Sequence, residues 1–557
     1  MKKQVLAIIS HVRRPEVWPR ICIWAVVLLS LLLRTWNLGV APDFSGDEGS
    51  SLETAKGVWQ YGTMTRWFLR VPYLDHAKGI VSYWLMARVF DIFGMGVWQA
   101  RIVAALAGVM TTFLVIQFAK MALGWEAGAI AGLFHATSYH ILMYERCSKA
   151  TSLAAMLVLA AALLLYLALQ RKNVLTGVLA GLVAGLSLVT KIAFAYFLAA
   201  VLLYAIGQLL LGKQRREVGQ VLLAFVVGLA IPGAGWLLYY NYWEGQEVFA
   251  AGREAYGVLQ TYIPRASRYT LTSFDFSEVG FDLNAYQART MWVIVHYLVW
   301  DPIRCLGVLG AIYLLARKRQ LGIAWYMVMT VLAGLVAYWI FDGATGYYFP
   351  SNVMAYAMSG VFIGSLWEAC GKSQGLRYGL AVGIGLICLF GVTLTVPMDT
   401  YGSQRERYPT EWGPVLEADR GYNIATARWI EANLPAEATY YGPSTILALT
   451  QLRYVPTLYD DYAEVFRKYR PTFLVLDREG SHAIAEGTRA DPHKTLELRL
   501  IREVKSPFGD TETSLYRIEG LKAAETVLSQ RALEYLRAYP TGRPPDFSPE
   551  VLEQGND

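Results

Sequence analysis

The apolar residues of this chain gather in long blocks separated by short polar stretches. A window of about 20 residues, the length a helix needs to cross a bilayer, predicts spans near Ile21 to Trp36, Val97 to Ala119, Ala127 to Met143, Ser152 to Gln170 and Val174 to Val189. Further spans are expected near Ala193 to Leu211, Val221 to Tyr240, Pro302 to Ala316, Leu321 to Phe341, Asn352 to Trp367 and Leu376 to Val396, about eleven in all. An odd number of spans puts the two termini on opposite faces of the membrane.

Between the first two spans the pattern becomes amphipathic. From Glu48 to Tyr61 the positions of Leu52, Ala55, Val58 and Trp59 suit a helix that Gly62 ends, and from Ile80 to Phe93 apolar residues mix with Arg88 and Asp91 over a length too short to span. Both segments are expected to lie along the membrane interface. A long outer loop from Asn241 to Arg289 carries many aromatic residues with Arg253, Arg265 and Arg268 among them, and reads as a lid over substrate or as a structural cap. After Pro397 the pattern is that of a soluble α/β domain. It predicts a helix at Asn423 to Asn433, strands at Ala438 to Tyr441, Phe473 to Leu476, Leu496 to Val504 and Ser514 to Ile518, and a helix at Leu521 to Arg537. The expected domains are a membrane domain at 1–397 and a domain outside the membrane at 398–557.

Composition agrees with this class: 55% of the 557 residues are hydrophobic and 17% are charged, too apolar for a soluble multidomain protein. Lys2, Lys3, Arg13, Arg14, Lys120, Arg171, Lys172, Lys213, Arg215, Arg216, Arg317, Lys318, Arg319, Lys372 and Arg377 all fall on one face of the predicted topology, which is therefore cytoplasmic. The region after Val396 then lies outside. No basic run with interleaved aromatics suggests a nucleic-acid partner. Cys22, Cys147, Cys305, Cys370 and Cys388 lack metal-ligand spacing and read as packing residues. No small-residue cleavage site follows the first span, so that span is expected to remain as an anchor.

Two adjacent carboxylates, Asp47 and Glu48, stand just beyond the first span on the outer side. Near lipid such a pair repels and loses hydration, which raises the pKa of one carboxyl and suits it to act as a base. The plainer alternative is a hydrated loop with a capping residue for the following helix. Lys78, Arg101, Arg146, Lys149 and Lys191 break the positive-inside pattern near the outer ends of different spans. Each can snorkel to the interface, while as a group they suit an anion such as a lipid phosphate. Lys191 also ends its helix where a cation complements the dipole, and Arg101 can pair with Asp91. His76, beside Asp75, is a candidate to bind metal or contact substrate, and Tyr347 and Tyr348 to stack on a sugar, against an ordinary polar contact and interfacial tyrosines. His135 and His140 are expected to pack or to hydrogen-bond locally.

These residues carry a resemblance. Asp47-Glu48-Gly49-Ser50-Ser51-Leu52-Glu53-Thr54-Ala55-Lys56 resembles a DE-A-x-Y-A-E-I-A-R element, preceded by the similar lead-in Leu33-Arg34-Thr35-Trp36-Asn37-Leu38-Gly39. Val71-Pro72-Tyr73-Leu74 and Lys78-Gly79-Ile80-Val81-Ser82-Tyr83-Trp84-Leu85 resemble P-Y-L-E-K-P-P-L-Y-Y-W-L, with Lys78 on the motif lysine. Arg101 to Thr111 resembles R-x-x-A-L-x-G, Val189-Thr190-Lys191 resembles L-T-K, and Tyr347-Tyr348-Phe349-Pro350 resembles an aromatic-proline lead-in to a later span. In this order they resemble the polyprenyl-phosphate-sugar-dependent glycosyltransferases of the GT-C fold, the group of the protein O-mannosyltransferases (glycosyltransferase family 39) and the aminoarabinose transferases of lipid A. The chain departs from them at Gly79 and Ile80, where the motif has two prolines, and at Thr151, where many members carry an Asp. It has no WWDxG motif, which sets it apart from oligosaccharyltransferases.

The resemblance implies an inverting hexosyl- or pentosyltransferase in the cytoplasmic (inner) membrane, with its carboxy-terminal domain periplasmic or extracellular. Its donor would be a polyprenyl-phosphate sugar and its acceptor a lipid, protein or polysaccharide on the outer face. Asp47 would be the base, and Glu48 would tune it or hold a divalent metal such as Mg or Mn. Lys78, Arg146, Lys149 and Lys191, with Arg101 ranked lower, would neutralise the departing phosphate. A lipid-linked sugar flippase and a GT-C glycan ligase or polymerase are the competing readings.

Overall fold

The computed structural model describes residues 18–39, 46–68, 71–74, 79–212, 214–244, 302–316, 321–341, 349–371, 373–398, 422–447, 450, 453–456, 466, 470–477, 491–505 and 511–522. In chain order its first helices are α1 (Trp18–Thr35), α2 (Gly46–Tyr61), α3 (Ile80–Phe93) and α4 (Val97–Leu123). There follow α5 (Trp125–Thr137), α6 (Tyr139–Glu145), α7 (Ala150–Arg171), α8 (Val174–Thr190), α9 (Ala195–Leu211), α10 (Arg215–Glu244), α11 (Pro302–Ala316), α12 (Leu321–Phe341), α13 (Phe349–Ala369) and α14 (Gln374–Met398). Among the described residues, five helices are long and apolar enough to cross a membrane, namely Val97–Leu123, Ala150–Arg171, Ile192–Leu211, Arg215–Trp243 and Gln374–Val392. Val174–Thr190, Ile303–Ala316 and Gly322–Gly334 are shorter apolar helices. The predicted span Ala127 to Met143 is divided. Ser138 adopts an extended backbone (φ −66°, ψ 121°), ends α5 and starts α6, accepting a hydrogen bond from the Ile141 amide with its hydroxyl. Serine is among the strongest N-caps, so the break is written in the sequence.

The chain forms two compact units. The first contains Met1–Leu38, Arg101–Leu237 and Phe276–Met398, and the second Gly39–Ala100, Leu238–Asp275 and Asp399–Asp557. In the first unit, helices meet through small residues. Gly177, Gly181 and Gly185 repeat every fourth position and so share one face of α8. A Cβ on Gly181 would lie 2.0 Å from the Phe225 carbonyl oxygen of α10, and one on Gly185 2.8 Å from that of Leu229. Gly360 and Gly364 of α13 seat against Ala131 and Ala127 of α5 in the same way. In lipid, where apolar burial does not drive helices together, this close backbone approach supplies the packing.

In the second unit, glycines with φ near +75° mark the ends of two helices: Gly62 follows α2, while Gly79 and Gly94 bracket α3. Trp59 of α2 meets Phe90 of α3 edge-on, with ring centroids 6.0 Å apart. An antiparallel hairpin that the pattern did not predict, β1 (Thr65–Phe68) and β2 (Val71–Leu74), joins the two helices. The carboxy-terminal region holds α15 (Tyr422–Asn433), β3 (Thr439–Gly442), the short helix α16 (Ser444–Leu447), β4 (Arg453–Pro456), β5 (Phe473–Asp477), the short helix α17 (Pro492–Thr495), β6 (Leu496–Lys505) and β7 (Thr511–Leu521). Its five strands are ordered β4-β3-β5-β7-β6, parallel among β3, β4 and β5 and antiparallel at β7. Ala427 and Ile430 of α15 close a core with Tyr440, Ile446, Leu447, Phe473, Val475 and Leu515. Of the expected helix Leu521 to Arg537, Leu521 belongs to β7 and the residues after Lys522 lie outside the described residues, as do those beyond Glu244 of the expected outer loop Asn241 to Arg289.

Candidate active site

Asp47 and Glu48 fall in the first turn of α2, where unsatisfied backbone N–H groups favour negative charge. Glu48 is fully buried, with Leu52, Thr54, Ala55 and Val58 of the same helix. One turn further on from Leu52, the Lys56 ammonium donates to the Thr450 carbonyl at 3.1 Å. Burial holds the Lys56 ammonium below its ordinary range, and the nearby Glu53 and Glu431 partly restore it. The Tyr239 hydroxyl accepts from the Met64 amide at 3.3 Å and donates to Thr63, which ties the end of the α2 segment to α10. Lys78, His76, Tyr347 and Tyr348 lie outside the described residues. Among the described residues, no three His, Cys, Asp or Glu side chains come together in a way that would hold a metal ion.

In the first unit, three of the expected cations belong to the same end of the α7–α8 pair. Arg146 closes α6, Lys149 precedes α7 and Lys191 follows α8. The Lys191 ammonium donates to the Thr151 hydroxyl at 2.7 Å, so the residue found where a carboxylate was looked for is a ligand of the terminal lysine. Lys191 also stands 5.5 Å over the Phe194 ring. Arg146 and Arg101 both hold the turn that leaves α1: Arg146 Nη2 donates to the Trp36 carbonyl at 3.0 Å, and Arg101 Nη1 to that of Leu38 at 3.2 Å. Asp91 pairs with Arg88 at 2.7 Å, three residues back on α3 where a helix already places the two side by side.

Sequence reasoning missed a charged cluster inside the bundle. Arg34, in the last turn of α1, places Nε 2.7 Å from Glu145 Oε2, and its Nη2 contacts the same oxygen. Both side chains are fully buried. Arg34 Nη1 donates to Ser30 Oγ at 2.8 Å, Ser30 bonds Thr112 at 2.8 Å, and Thr112 bonds His135 Nδ1 at 3.0 Å. His135 thus makes the local hydrogen bond expected of it, and its Nε2 stands 3.6 Å from Glu145 Oε1. His140 packs among Tyr139 and Tyr144, as expected. A signal for the cluster existed: a lone arginine within an apolar span requires a counter-charge.

This architecture is that of a multi-pass membrane protein with the GT-C glycosyltransferase fold. A family model described as dolichyl-phosphate-mannose-protein mannosyltransferase matches residues 75–236. The crystal structure of ArnT from Cupriavidus metallidurans bound to undecaprenyl phosphate is similar, with a TM-score of 0.56 at 14% identity over 90% of this chain and 98% of that one. The archaeal oligosaccharyltransferase AglB from Archaeoglobus fulgidus, in complex with an inhibitory peptide and a dolichol-phosphate, is similar with a TM-score of 0.53 at 14% identity over 92% of this chain and 75% of that one. No curated protein sequence matches the chain.

Proposed function

We propose that the protein is an integral membrane glycosyltransferase that moves a sugar from a polyprenyl-phosphate donor to an acceptor on the outer face of the cytoplasmic membrane. The observation that carries this reading is likeness of fold along 90% of the chain to a protein bound to undecaprenyl phosphate, together with an acid pair heading an interfacial helix. In this reading Asp47 takes the proton from the acceptor hydroxyl as that oxygen attacks the anomeric carbon, and the bond from that carbon to the phosphate oxygen breaks. Attack opposite the leaving group inverts the anomeric centre. Glu48, buried one residue on, sets the charge around Asp47. Lys78, Lys149, Lys191 and Arg146 stabilise the negative charge gathering on the phosphate. Arg101, fully buried and bonded to the Leu38 carbonyl, positions the turn that leads toward Asp47. In this reading His76, Tyr347 and Tyr348 contact substrate. In this reading the amino terminus is cytoplasmic, and the domains are a membrane domain at 1–397 and a domain outside the membrane at 398–557.

The test is transfer by the purified protein from a panel of radiolabelled polyprenyl-phosphate sugars to host membrane extract, with Asp47→Asn alongside. Transfer lost in a folded Asp47→Asn protein supports the assignment. Label that crosses vesicle membranes chemically unchanged, with Asp47→Asn harmless, would show a flippase instead.

A further inference from the structure

The second unit contains a pocket of about 320 Å³ whose lining includes Leu52 of α2, Trp98, Gln99, and Ala427, Arg428 and Glu431 of α15. Its volume falls in the range of small-ligand sites, roughly 300–1,000 Å³. Leu52 lies five positions beyond Asp47 on α2, about 7.5 Å along the helix axis. Gln99 is only 9% exposed. Its Nε2 donates to the Phe93 carbonyl at 3.2 Å, while its Oε1 is buried without a partner. A buried amide oxygen left without a donor is destabilising, and a ligand hydroxyl donating to it would relieve that cost.

The rest of the lining narrows the ligand. Trp98, 40% exposed and braced by Phe93 at 5.4 Å between ring centroids, offers an apolar ring surface. Arg428 and Glu431, three apart on α15, share a helical face and supply a donor and an acceptor of opposite charge. An aromatic surface, an amide, a guanidinium and a carboxylate together suit a neutral polyhydroxylated ring. The Glu431 carboxylate opposes a phosphate.

We propose that this pocket binds an uncharged sugar ring. Its part in transfer rests on the glycosyltransferase reading, whereas binding itself does not. The ring belongs to the acceptor or to the donor, which share this chemistry. The full chain in detergent is examined by saturation-transfer NMR with methyl glycosides of hexoses, pentoses and N-acetylhexosamines, alongside Arg428→Gln and Gln99→Leu. Arg428 is exposed, so its variant leaves the fold intact. The expected result is signal from at least one glycoside, weakened about fivefold or more in both variants, as loss of one ligand hydrogen bond requires. Absence of any signal, or equal signal in the variants, overturns the proposal. In the transfer assay, a rise in the acceptor KM alone for Arg428→Gln assigns the ring to the acceptor, and a rise in the donor KM alone assigns it to the donor. Binding lost with both constants unchanged removes the pocket from the reaction. If no donor supports transfer by the wild type, the glycosyltransferase reading fails while the binding result stands.

Discussion

Replacing Glu145 by Gln should cost this protein a large part of its stability. The side chains of Arg34 and Glu145 are both fully buried, and Arg34 directs Nε and Nη2 at the same carboxylate oxygen. The amide keeps the shape of the carboxyl but removes the negative charge paired with Arg34. Removing one partner of a buried pair costs about 3–5 kcal/mol, because the other charge is left desolvated and uncompensated. At about 1.4 kcal/mol per factor of ten, the folded fraction relative to unfolded falls between roughly a hundredfold and a few thousandfold. Replacing both residues, as Arg34→Met with Glu145→Leu, removes the two charges together and should be much milder than either single change. The measurement is equilibrium unfolding in mixed micelles, followed by tryptophan fluorescence, for the wild type, the two single variants and the double variant. A loss under about 1 kcal/mol for Glu145→Gln, or single losses that simply add in the double variant, would refute the argument. Gly108 provides a check from the third side: a Cβ there would lie 2.6 Å from both Arg34 Nε and Glu145 Oε2, so Gly108→Ala should weaken the same unit.

Gly181→Val should lower stability by about 1–3 kcal/mol or more, since even a Cβ would lie 2.0 Å from the Phe225 carbonyl oxygen; an unchanged melting temperature in detergent would contradict the close contact of α8 and α10. Lys191→Met should lower kcat/KM for the lipid-phosphate donor about tenfold to a hundredfold, as loss of one charge-assisted contact does; if the lysine serves only its helix end, stability falls by under about 1 kcal/mol and the kinetics stay unchanged. Lys56 has its folded pKa held below the unfolded value of 10.5, chiefly by burial, so between those two values the unfolded chain binds more protons and stability rises with pH. Unfolding measured across that window should therefore show the wild type gaining on Lys56→Met as pH rises, and parallel curves would show that Lys56 is not desolvated.

Much of the fold was legible because its boundaries are set by local chemistry. Helix α3 runs from Ile80 to Phe93 as its pattern predicts, and the flanking Gly79 and Gly94 adopt the left-handed φ that stops other residues. Helix α15 and strands β3, β5, β6 and β7 also fall where alternation and periodicity put them, each with ends shifted by a few residues at most. Strand β4 has four residues, too short for a period to show, and is fixed by pairing with β3 rather than by its own sequence. The Arg34–Glu145 pair was hidden for a different reason. The partners are 111 positions apart, and although a lone arginine in an apolar span demands a counter-charge, only packing selects which acid answers it.

The cations expected at the outer ends of the spans looked alike in the sequence, and their geometry divides them by side-chain chemistry. Both arginines, Arg101 and Arg146, donate to backbone carbonyls of the turn at Trp36 to Leu38, a task suited to a planar group with several fixed donors. Arg34 anchors the same segment from below through Glu145. Three arginines thus fix the end of α1, from which the chain runs on to Asp47. Lys191 instead donates to a side-chain hydroxyl, that of Thr151. A compact ammonium on a flexible stem can turn toward an arriving anion, whereas the fully buried Arg101 cannot do so without releasing the turn it holds. The division predicts that Arg101→Lys harms folding more than donor binding, and that Lys191→Arg harms donor binding more than folding. Stability and donor KM measured on both variants would separate the two roles, and a reversed pattern would sink the distinction.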